Sequence, residues 1–161
     1  MQLKPEFLNE LMQNALAEAK RAASFGEVPV GAVIAVGRDI VSAGRNEMEL
    51  RNDPTAHAEV LAIRRAAQSL GNWRLTNSIL CVTLEPCTMC MGAIRLARVP
   101  VVVYGARDDR MGAAGSLYDL SLDSRLGEGP RIISGICGAE AAQILSEFFQ
   151  NRRDNRAEIL Q

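Results

Sequence analysis

The sequence predicts an α/β fold in which helices cover both faces of one sheet, giving three layers. Helical and extended patterns alternate along the 161 residues, and residues 100–104 form a nearly continuous apolar strand of the kind covered on both faces. The composition is 48% hydrophobic and 23% charged, which excludes a disordered or fibrous chain. We expect a single domain over residues 1–161, with its core at about 6–153 and a mobile C-terminal tail at 154–161.

The first half of the chain predicts a helix, a hairpin, a loop and a second helix, at residues 6–25, 28–43, 46–54 and 55–69. Apolar residues recur every three or four positions in both helices, which end near Gly26 and Gly71. The hairpin joins two β-branched segments, 28–36 and 40–43, through a Gly-Arg-Asp turn. The loop is polar and ends in a proline.

The second half predicts strands at 78–84, 100–104 and 131–134 and helices at 87–96 and 139–153. A glycine-rich run at 105–115 and a polar run at 121–130 predict irregular loops. The last helix is expected to turn five apolar residues inward: Ala142, Ile144, Leu145, Phe148 and Phe149.

Charge and hydropathy limit the partners of the chain. The formal net charge is −1, so a nucleic acid would have to bind a local basic patch. Arg64 with Arg65 is one candidate and the cluster Arg152, Arg153 and Arg156 is another, although a solvated helix face is the simpler explanation of each cluster taken alone. No apolar run approaches the ~20 residues that a membrane span needs, and the N-terminus lacks a secretory signal, so we expect a cytoplasmic protein with no membrane partner.

The residue types that bind zinc occur in two short motifs. The single histidine lies in His57-Ala58-Glu59, near the start of the second predicted helix, and two cysteines lie in Pro86-Cys87-Thr88-Met89-Cys90. Cysteines three positions apart in a first helical turn project to the same side. A lone histidine is more often structural than a ligand, but this cysteine spacing favours a zinc site formed by His57, Cys87 and Cys90.

The number of ligands distinguishes a catalytic zinc site from a structural one. Three protein ligands leave the fourth position for water, whose pKa the ion lowers, whereas four ligands close the site. Cys81 or Cys137 could be a fourth ligand, but both lie in apolar segments where a cysteine behaves as a small hydrophobe. An unligated carboxylate beside the metal can move protons, which favours Glu59 as the catalytic residue over a merely solvated one.

The H-x-E and P-C-x-x-C signature resembles that of the zinc nucleobase deaminases. Five further blocks resemble the bacterial tRNA-specific adenosine deaminases: 27–33, 53–59, 82–87, 105–108 and 112–117. The resemblance extends over about residues 6–153. It implies a cytidine-deaminase-like fold with a central mixed five-stranded sheet, one Zn²⁺ per subunit and a homodimer. The implied reaction is hydrolytic deamination of adenosine to inosine at the wobble position of a tRNA anticodon, by zinc-bound hydroxide with Glu59 as the proton shuttle.

The same resemblance implies roles for residues outside the zinc motifs. Asn46 would hold the base, Asp108 would meet the ribose 2′-hydroxyl, and the backbones of Ala56 and Glu85 would line the pocket. Three residues of the last helix would meet the tRNA anticodon loop: Phe149, Arg152 and Arg153. Stacking and phosphate contacts suit such a loop, although core packing for the phenylalanine and solvent exposure for the arginines remain alternatives.

One segment departs from the family pattern. Many members carry a Leu/Met-Asn-His stretch after the glycine-rich loop, where this chain has Leu126-Gly127-Glu128-Gly129-Pro130. Two alternatives therefore stay open. The first is a deaminase of a free nucleobase or nucleoside of the guanine, adenosine or cytosine type. The second is a non-catalytic module that a four-ligand zinc site stabilises.

Overall fold

The structure is a computed structural model that describes the backbone of residues 3–159 and the side chains of residues 3–155. The helices are α1 (Pro5–Ser24), α2 (Met48–Arg51), α3 (Ala58–Leu70), α4 (Thr88–Leu96) and α5 (Gly138–Ile159). The strands are β1 (Gly31–Val36), β2 (Asp39–Arg45), β3 (Ser78–Leu84), β4 (Val101–Ala106) and β5 (Arg131–Ser134). A 3₁₀ turn covers Ser124–Leu126.

The five strands form one mixed sheet in the order β2-β1-β3-β4-β5. β1 is antiparallel to both of its neighbours, whereas β3, β4 and β5 run parallel. The predicted α/β class and mixed five-stranded sheet are therefore confirmed. Because parallel strands end at the same edge, the segments that follow β3 and β4 leave the sheet side by side, which brings Glu85 close to Asp108.

Two apolar cores lie on opposite faces of the sheet, which is the expected three-layer arrangement. Alternate strand residues face opposite ways. On β3, for example, Leu80 and Val82 pack with residues of α3 and α4, whereas Ile79 and Cys81 pack with α1 and with Ala141 of α5. The helix pair α3 and α4 lies on the face that also carries the candidate metal ligands.

Several predicted boundaries were wrong by a few residues. The predicted 46–54 loop contains the short helix α2, which the ion pair from Arg51 back to Glu47 stabilises. Helix α3 begins at Ala58 and not at residue 55, because His57 has an extended backbone and precedes the first helical turn. Helix α5 continues to Ile159, six residues beyond its predicted end, so the predicted mobile tail begins inside a helix. Residues 160–161 lie outside the described residues.

The inward face predicted for α5 was also partly wrong. Ala142 and Phe149 are exposed, and Ile144, Leu145 and Phe148 are only half-buried. Ala141 is buried in the core, and Ile144 packs against the same core as predicted, although it is only partly buried. The prediction failed because helical spacing does not show whether another element packs against a face, and residues 149–155 are all exposed. Within the described residues, no helix is long and apolar enough to cross a membrane.

Candidate active site and metal centre

The three predicted zinc ligands meet at the starts of two helices. His57 immediately precedes α3, Cys87 immediately precedes α4, and Cys90 lies in the first turn of α4. The histidine Nδ1 is 3.7 Å from the Cys87 Sγ and 3.4 Å from the Cys90 Sγ. Their ligand atoms all lie within 4.8 Å of one another. One small cation could therefore contact all three.

The local sequence explains why both helices begin at the site. Pro86 follows β3 and precedes the extended Cys87, whose carbonyl accepts the first helical hydrogen bond of α4, from the Met91 N–H. His57 does the same for α3, because its carbonyl accepts from the Leu61 N–H. Two helix N-termini thus face one point. Their dipoles favour negative charge there, which suits thiolate ligands.

Hydrogen bonds among the three groups shift their pKa values in different directions. The hydrogen bond from Cys90, with a further one from His57, lowers the pKa of Cys87 to about 4 against the opposing effect of burial. The same contact with Cys87, together with burial, raises the pKa of Cys90. The hydrogen bond to Cys87 raises the pKa of His57. One imidazole nitrogen and two sulfurs are a donor set that fits zinc.

Glu59 lies in the first turn of α3 and is 4% exposed. It is not one of the three grouped ligands, but it is close enough to His57 and Cys90 for both to influence its ionisation. Burial raises the pKa of Glu59 to about 7. A carboxyl group with such a pKa can both accept and release a proton near neutral pH.

Neither of the other cysteines joins the metal group in the described part of the chain. Cys81 is fully buried on the sheet face that packs against α1 and α5, away from the helices that carry the ligands. Burial raises the pKa of its thiol. Cys137 lies just before α5, with its Sγ 3.8 Å from the Asn9 Oδ1. These positions do not support the four-ligand alternative.

The predicted base-binding residues Asn46 and Ala56 are both buried and lie in neighbouring segments. The amide of Asn46 is fixed, because its Nδ2 donates to the Val28 carbonyl and its Oδ1 accepts from the Met48 N–H, both at 3.3 Å. The carbonyl of Ala56 accepts a hydrogen bond from the Glu47 N–H at 3.0 Å. This bond joins the Asn46 segment to the segment that carries His57.

Glu85 and Asp108 are in direct contact. The Asp108 N–H donates to the Glu85 Oε2 at 3.1 Å, and the Asp108 Oδ1 accepts from the Arg110 and Met111 N–H groups at 3.0 and 3.2 Å. Asp108 is half-buried. The Glu85 carboxylate also binds Ser116, a residue that the sequence analysis did not single out. The only sequence signal for it was its place in the 112–117 block.

The three predicted RNA-binding residues of α5 point largely into solvent. Phe149 is 41% exposed, which decides against core packing, and it meets Phe148 edge to face at 5.5 Å. The Arg152 guanidinium lies over the Phe148 ring at 5.2 Å, and Arg153 donates to the Gln150 Oε1 at 2.6 Å. Both arginines are exposed, so this helix offers one aromatic face and two cations together.

The other predicted basic cluster is not a free patch. Arg65 donates to the Ala43 carbonyl at 2.7 Å and lies 3.5 Å from the Glu47 carboxylate, so half of that pair holds α3 against β2. Arg64 lines a surface groove with Trp73 and Leu96. The basic surface at the outer half of α5 is the better candidate for nucleic acid.

Comparison with known proteins agrees with this site. Residues 5–106 match the cytidine and deoxycytidylate deaminase zinc-binding region. A tRNA-specific adenosine deaminase of Haemophilus influenzae is 43% identical over 155 residues, which cover 96% of this chain and 90% of that protein. A structure solved in a study of A-to-I editing by tRNA:A34 deaminases superposes with a TM-score of 0.81 at 41% identity, covering 84% of this chain and 99% of the other.

A guanine deaminase of Bacillus subtilis is also similar. Its structure superposes with a TM-score of 0.60 at 40% identity, but the superposition covers only 66% of this chain and 69% of the guanine deaminase chain. The longer and closer matches are those to the tRNA deaminases. The chain therefore belongs to the cytidine and deoxycytidylate deaminase family, in which it groups with the tRNA-specific adenosine deaminases.

Proposed function

We infer that this protein is a zinc-dependent hydrolase that deaminates adenosine to inosine at the wobble position of a tRNA anticodon. The observation that carries the inference is the convergence of His57, Cys87 and Cys90 beside the buried Glu59, in a chain 43% identical to a tRNA-specific adenosine deaminase. Three ligands leave one position for water, as in catalytic zinc sites.

In the proposed reaction, one set of residues holds the metal and another residue moves the protons. When bound by His57, Cys87 and Cys90, zinc would lower the pKa of water enough to supply a nucleophile near neutral pH. Glu59 would accept one proton of that water and deliver it to the ring nitrogen of the base. It would then take the second proton from the hydroxyl attached to the ring carbon and transfer it to the departing amine. Burial raises the pKa of Glu59, which favours its taking up a proton.

Fixed polar groups beside the metal centre would orient the nucleoside. Asn46 holds the base through an amide that its own loop already orients, and the backbones of Ala56 and Glu85 line the base pocket. Asp108 meets the ribose 2′-hydroxyl, at the sheet edge where the segments after β3 and β4 emerge. Support for these roles comes from burial and from the contacts that immobilise each group before substrate arrives.

The outer half of α5 would bind the anticodon loop. Phe149 provides an exposed ring on which an unpaired base can stack, and Arg152 and Arg153 provide cations for the flanking phosphates. The proposed protein is cytoplasmic, where it would encounter tRNA, and the tail at residues 154–161 is proposed to be mobile as a whole although its first part is helical.

A homodimer is supported by an apolar surface groove of about 980 Å³. Trp73 and Leu96 line it and are 53% and 77% exposed. Exposed apolar surface of this kind is typical of an interface. The chain would be a dimer by analytical ultracentrifugation, and Leu96→Glu should make it a monomer; a monomeric wild type would rule the dimer out.

The departure at residues 126–130 falls on the same groove. Leu126, Glu128 and Pro130 line it, and Arg95 of α4 anchors the segment by donating to the Gly127 carbonyl at 2.7 Å. A changed sequence there would alter the proposed dimer face and leave the metal ligands untouched. A free-base deaminase nevertheless stays a second candidate, because of the similarity to the guanine deaminase.

An inosine assay separates the two candidates. The substrates are an adenosine-wobble anticodon stem-loop and a panel of free bases and nucleosides, with Glu59→Ala as the blank. We expect inosine in the RNA and no comparable turnover of the free compounds. Turnover of a free base without activity on the RNA would replace the first candidate by the second. Retained zinc without activity on either would favour the non-catalytic module.

A further inference from the structure

Glu85 is a buried carboxylate whose hydrogen bonds all come from one irregular segment. It is 2% exposed and lies two positions before the metal ligand Cys87. Its Oε1 accepts from the N–H groups of Ala114 and Ser116, at 3.0 and 2.9 Å. Its Oε2 accepts from the Asp108 N–H at 3.1 Å and from the Ser116 hydroxyl.

These hydrogen bonds offset the free-energy cost of burying a charged carboxylate that has no cation beside it among the described residues. The ion pairs of the described residues do not include Glu85. Three backbone N–H groups and a hydroxyl take the place of a cation, and such charge-assisted bonds are stronger than neutral ones. The segment that donates them contains no helix or strand, although its backbone forms a turn in which the Gly112 N–H donates to the Asp108 carbonyl at 2.9 Å.

Further contacts join the same segment to the turn that carries the metal ligand Cys87. The Ala113 N–H donates to the Pro86 carbonyl at 2.8 Å, and Gly112 forms an isolated antiparallel bridge with Cys87. A Cβ atom on Gly112 would lie 2.5 Å from the Glu85 Cδ. Only glycine therefore allows the backbone to approach the carboxylate this closely.

We propose that the Glu85 carboxylate is a positioning residue that holds segment 108–116, including Asp108, against the Cys87 turn, and that substrate binding by this segment depends on it. The carboxylate touches neither the metal nor the substrate in this role. The part of the inference that concerns the substrate rests on the proposed function, because Asp108 is the proposed ribose contact. The part that concerns order within the segment does not.

The test uses zinc-loaded full-length protein carrying Glu85→Gln. This change keeps the shape of the side chain but turns one acceptor oxygen into an NH₂ group that faces N–H donors. Amide hydrogen exchange at Asp108, Ala114 and Ser116 should accelerate roughly tenfold or more, the size expected for losing a buried charge-assisted hydrogen bond. Exchange in β1 and β3 should be unchanged, and the zinc content should stay at the wild-type level.

Kinetics on the anticodon stem-loop should separate binding from chemistry. We expect KM to rise roughly tenfold while kcat stays within about threefold, because Glu59 and the metal ligands are intact. Ser116→Ala removes one donor of four and should give a smaller rise in KM. Glu140→Gln is the matched control, since this exposed carboxylate binds Lys20 and Gln13 on the α1 side of the fold and should change neither quantity.

Two results would overturn the proposal. One is unchanged exchange at the three amides. The other is zinc loss with a fall in kcat and faster exchange throughout the chain, which would mean that Glu85 supports the whole fold. If the wild type forms no inosine from the stem-loop, the proposed function fails, and the exchange measurement alone then decides the role of Glu85.

Discussion

The metal centre and the outer half of α5 differ in what holds their side chains in place. His57 and Cys87 stand at the starts of two helices that pack against the sheet, and Glu59 is buried in the first turn of one of them. Phe149 and Arg152 are exposed, and the contacts described for them lie within their own helix. The fold orders the first group, whereas a ligand would have to order the second.

This difference follows from what each region has to do. Bond breaking needs reacting groups that are oriented before the substrate arrives, because reorganisation during the reaction adds to the barrier. Recognition of a flexible loop tolerates side chains that settle on binding. Substitutions in the metal centre should therefore change metal content or rate, and substitutions on α5 should change affinity alone.

Cys87→Ala should have the largest effect, because it removes one of three ligands. Zinc content should fall to near zero after dialysis against a chelator, and activity should fall to that of a Glu59→Ala blank, since binding energy for the metal is lost with the ligand. Cys81→Ala is the matched control, as it removes a buried cysteine from the opposite sheet face. Metal analysis checks both variants. Normal zinc in Cys87→Ala, or lost zinc in Cys81→Ala, would show that the ligand set is different.

Glu59→Gln should separate rate from metal binding. The amide keeps the size of the side chain but cannot accept the proton, so kcat should fall by about 10² to 10⁴-fold, the usual contribution of a general acid–base group. Zinc content and thermal stability should stay close to the wild-type values. Single-turnover kinetics with metal analysis measure the effect. Loss of zinc would make Glu59 a ligand, in conflict with its place outside the ligand group.

The metal-binding group could be predicted from the sequence because the spacing of neighbouring residues determines which side chains project together. Cysteines at positions 87 and 90 project to the same side if a helix starts near residue 87, and His57-x-Glu59 places the second motif at another helix start. The strand spans 78–84 and 131–134 also agree with the structure, since their apolar, β-branched pattern is local. Features that follow from a few neighbouring residues were therefore predictable.

The features that the sequence did not reveal depend on long-range contacts. Helix α2 lies where the sequence predicts a loop, because the ion pairs between the buried Glu47 and three arginines stabilise it. The carboxylate contacts of Glu85 join residues more than twenty positions apart. The sequence does not decide whether Phe149 is buried or exposed, because helical spacing does not show whether another element packs against that face of the helix. Predicting these three features requires the tertiary structure.

Glu47 supports the site without belonging to it, so its loss should reduce stability before it affects chemistry. Its carboxylate is buried and pairs with three arginines: Arg45, Arg51 and Arg65. Burial raises the pKa of Glu47, but the arginines outweigh this effect and hold the pKa below its usual range. A lowered folded-state pKa contributes stability above the unfolded-state pKa, and this contribution is lost as the pH falls through the folded-state value.

Glu47→Gln should therefore lower the free energy of unfolding at pH 7 by about 1–3 kcal/mol, or the Tm by roughly 3–10 °C. The difference from wild type should shrink as the pH falls through the folded-state pKa of Glu47. Differential scanning calorimetry between pH 7 and pH 3 measures this. A difference that is independent of pH would mean that the ion pairs contribute nothing, and that the variant acts through packing alone.

The smallest effect is expected for Arg152→Ala/Arg153→Ala, which tests the other side of the comparison. Each exposed cation contributes up to about 1 kcal/mol to a phosphate contact, so KM for the stem-loop should rise roughly tenfold while kcat and zinc content stay unchanged. The slope of log affinity against log salt should become shallower by about 1–2, because two phosphate contacts are lost. Lys4→Ala/Arg38→Ala removes the same charge from two exposed positions, one just before α1 and one in the β1–β2 turn, and is the control. If both double variants raise KM equally, total charge and not the α5 surface attracts the RNA. If kcat falls in the α5 variant alone, then α5 also orders the reacting base, and the separation between the two regions is incomplete.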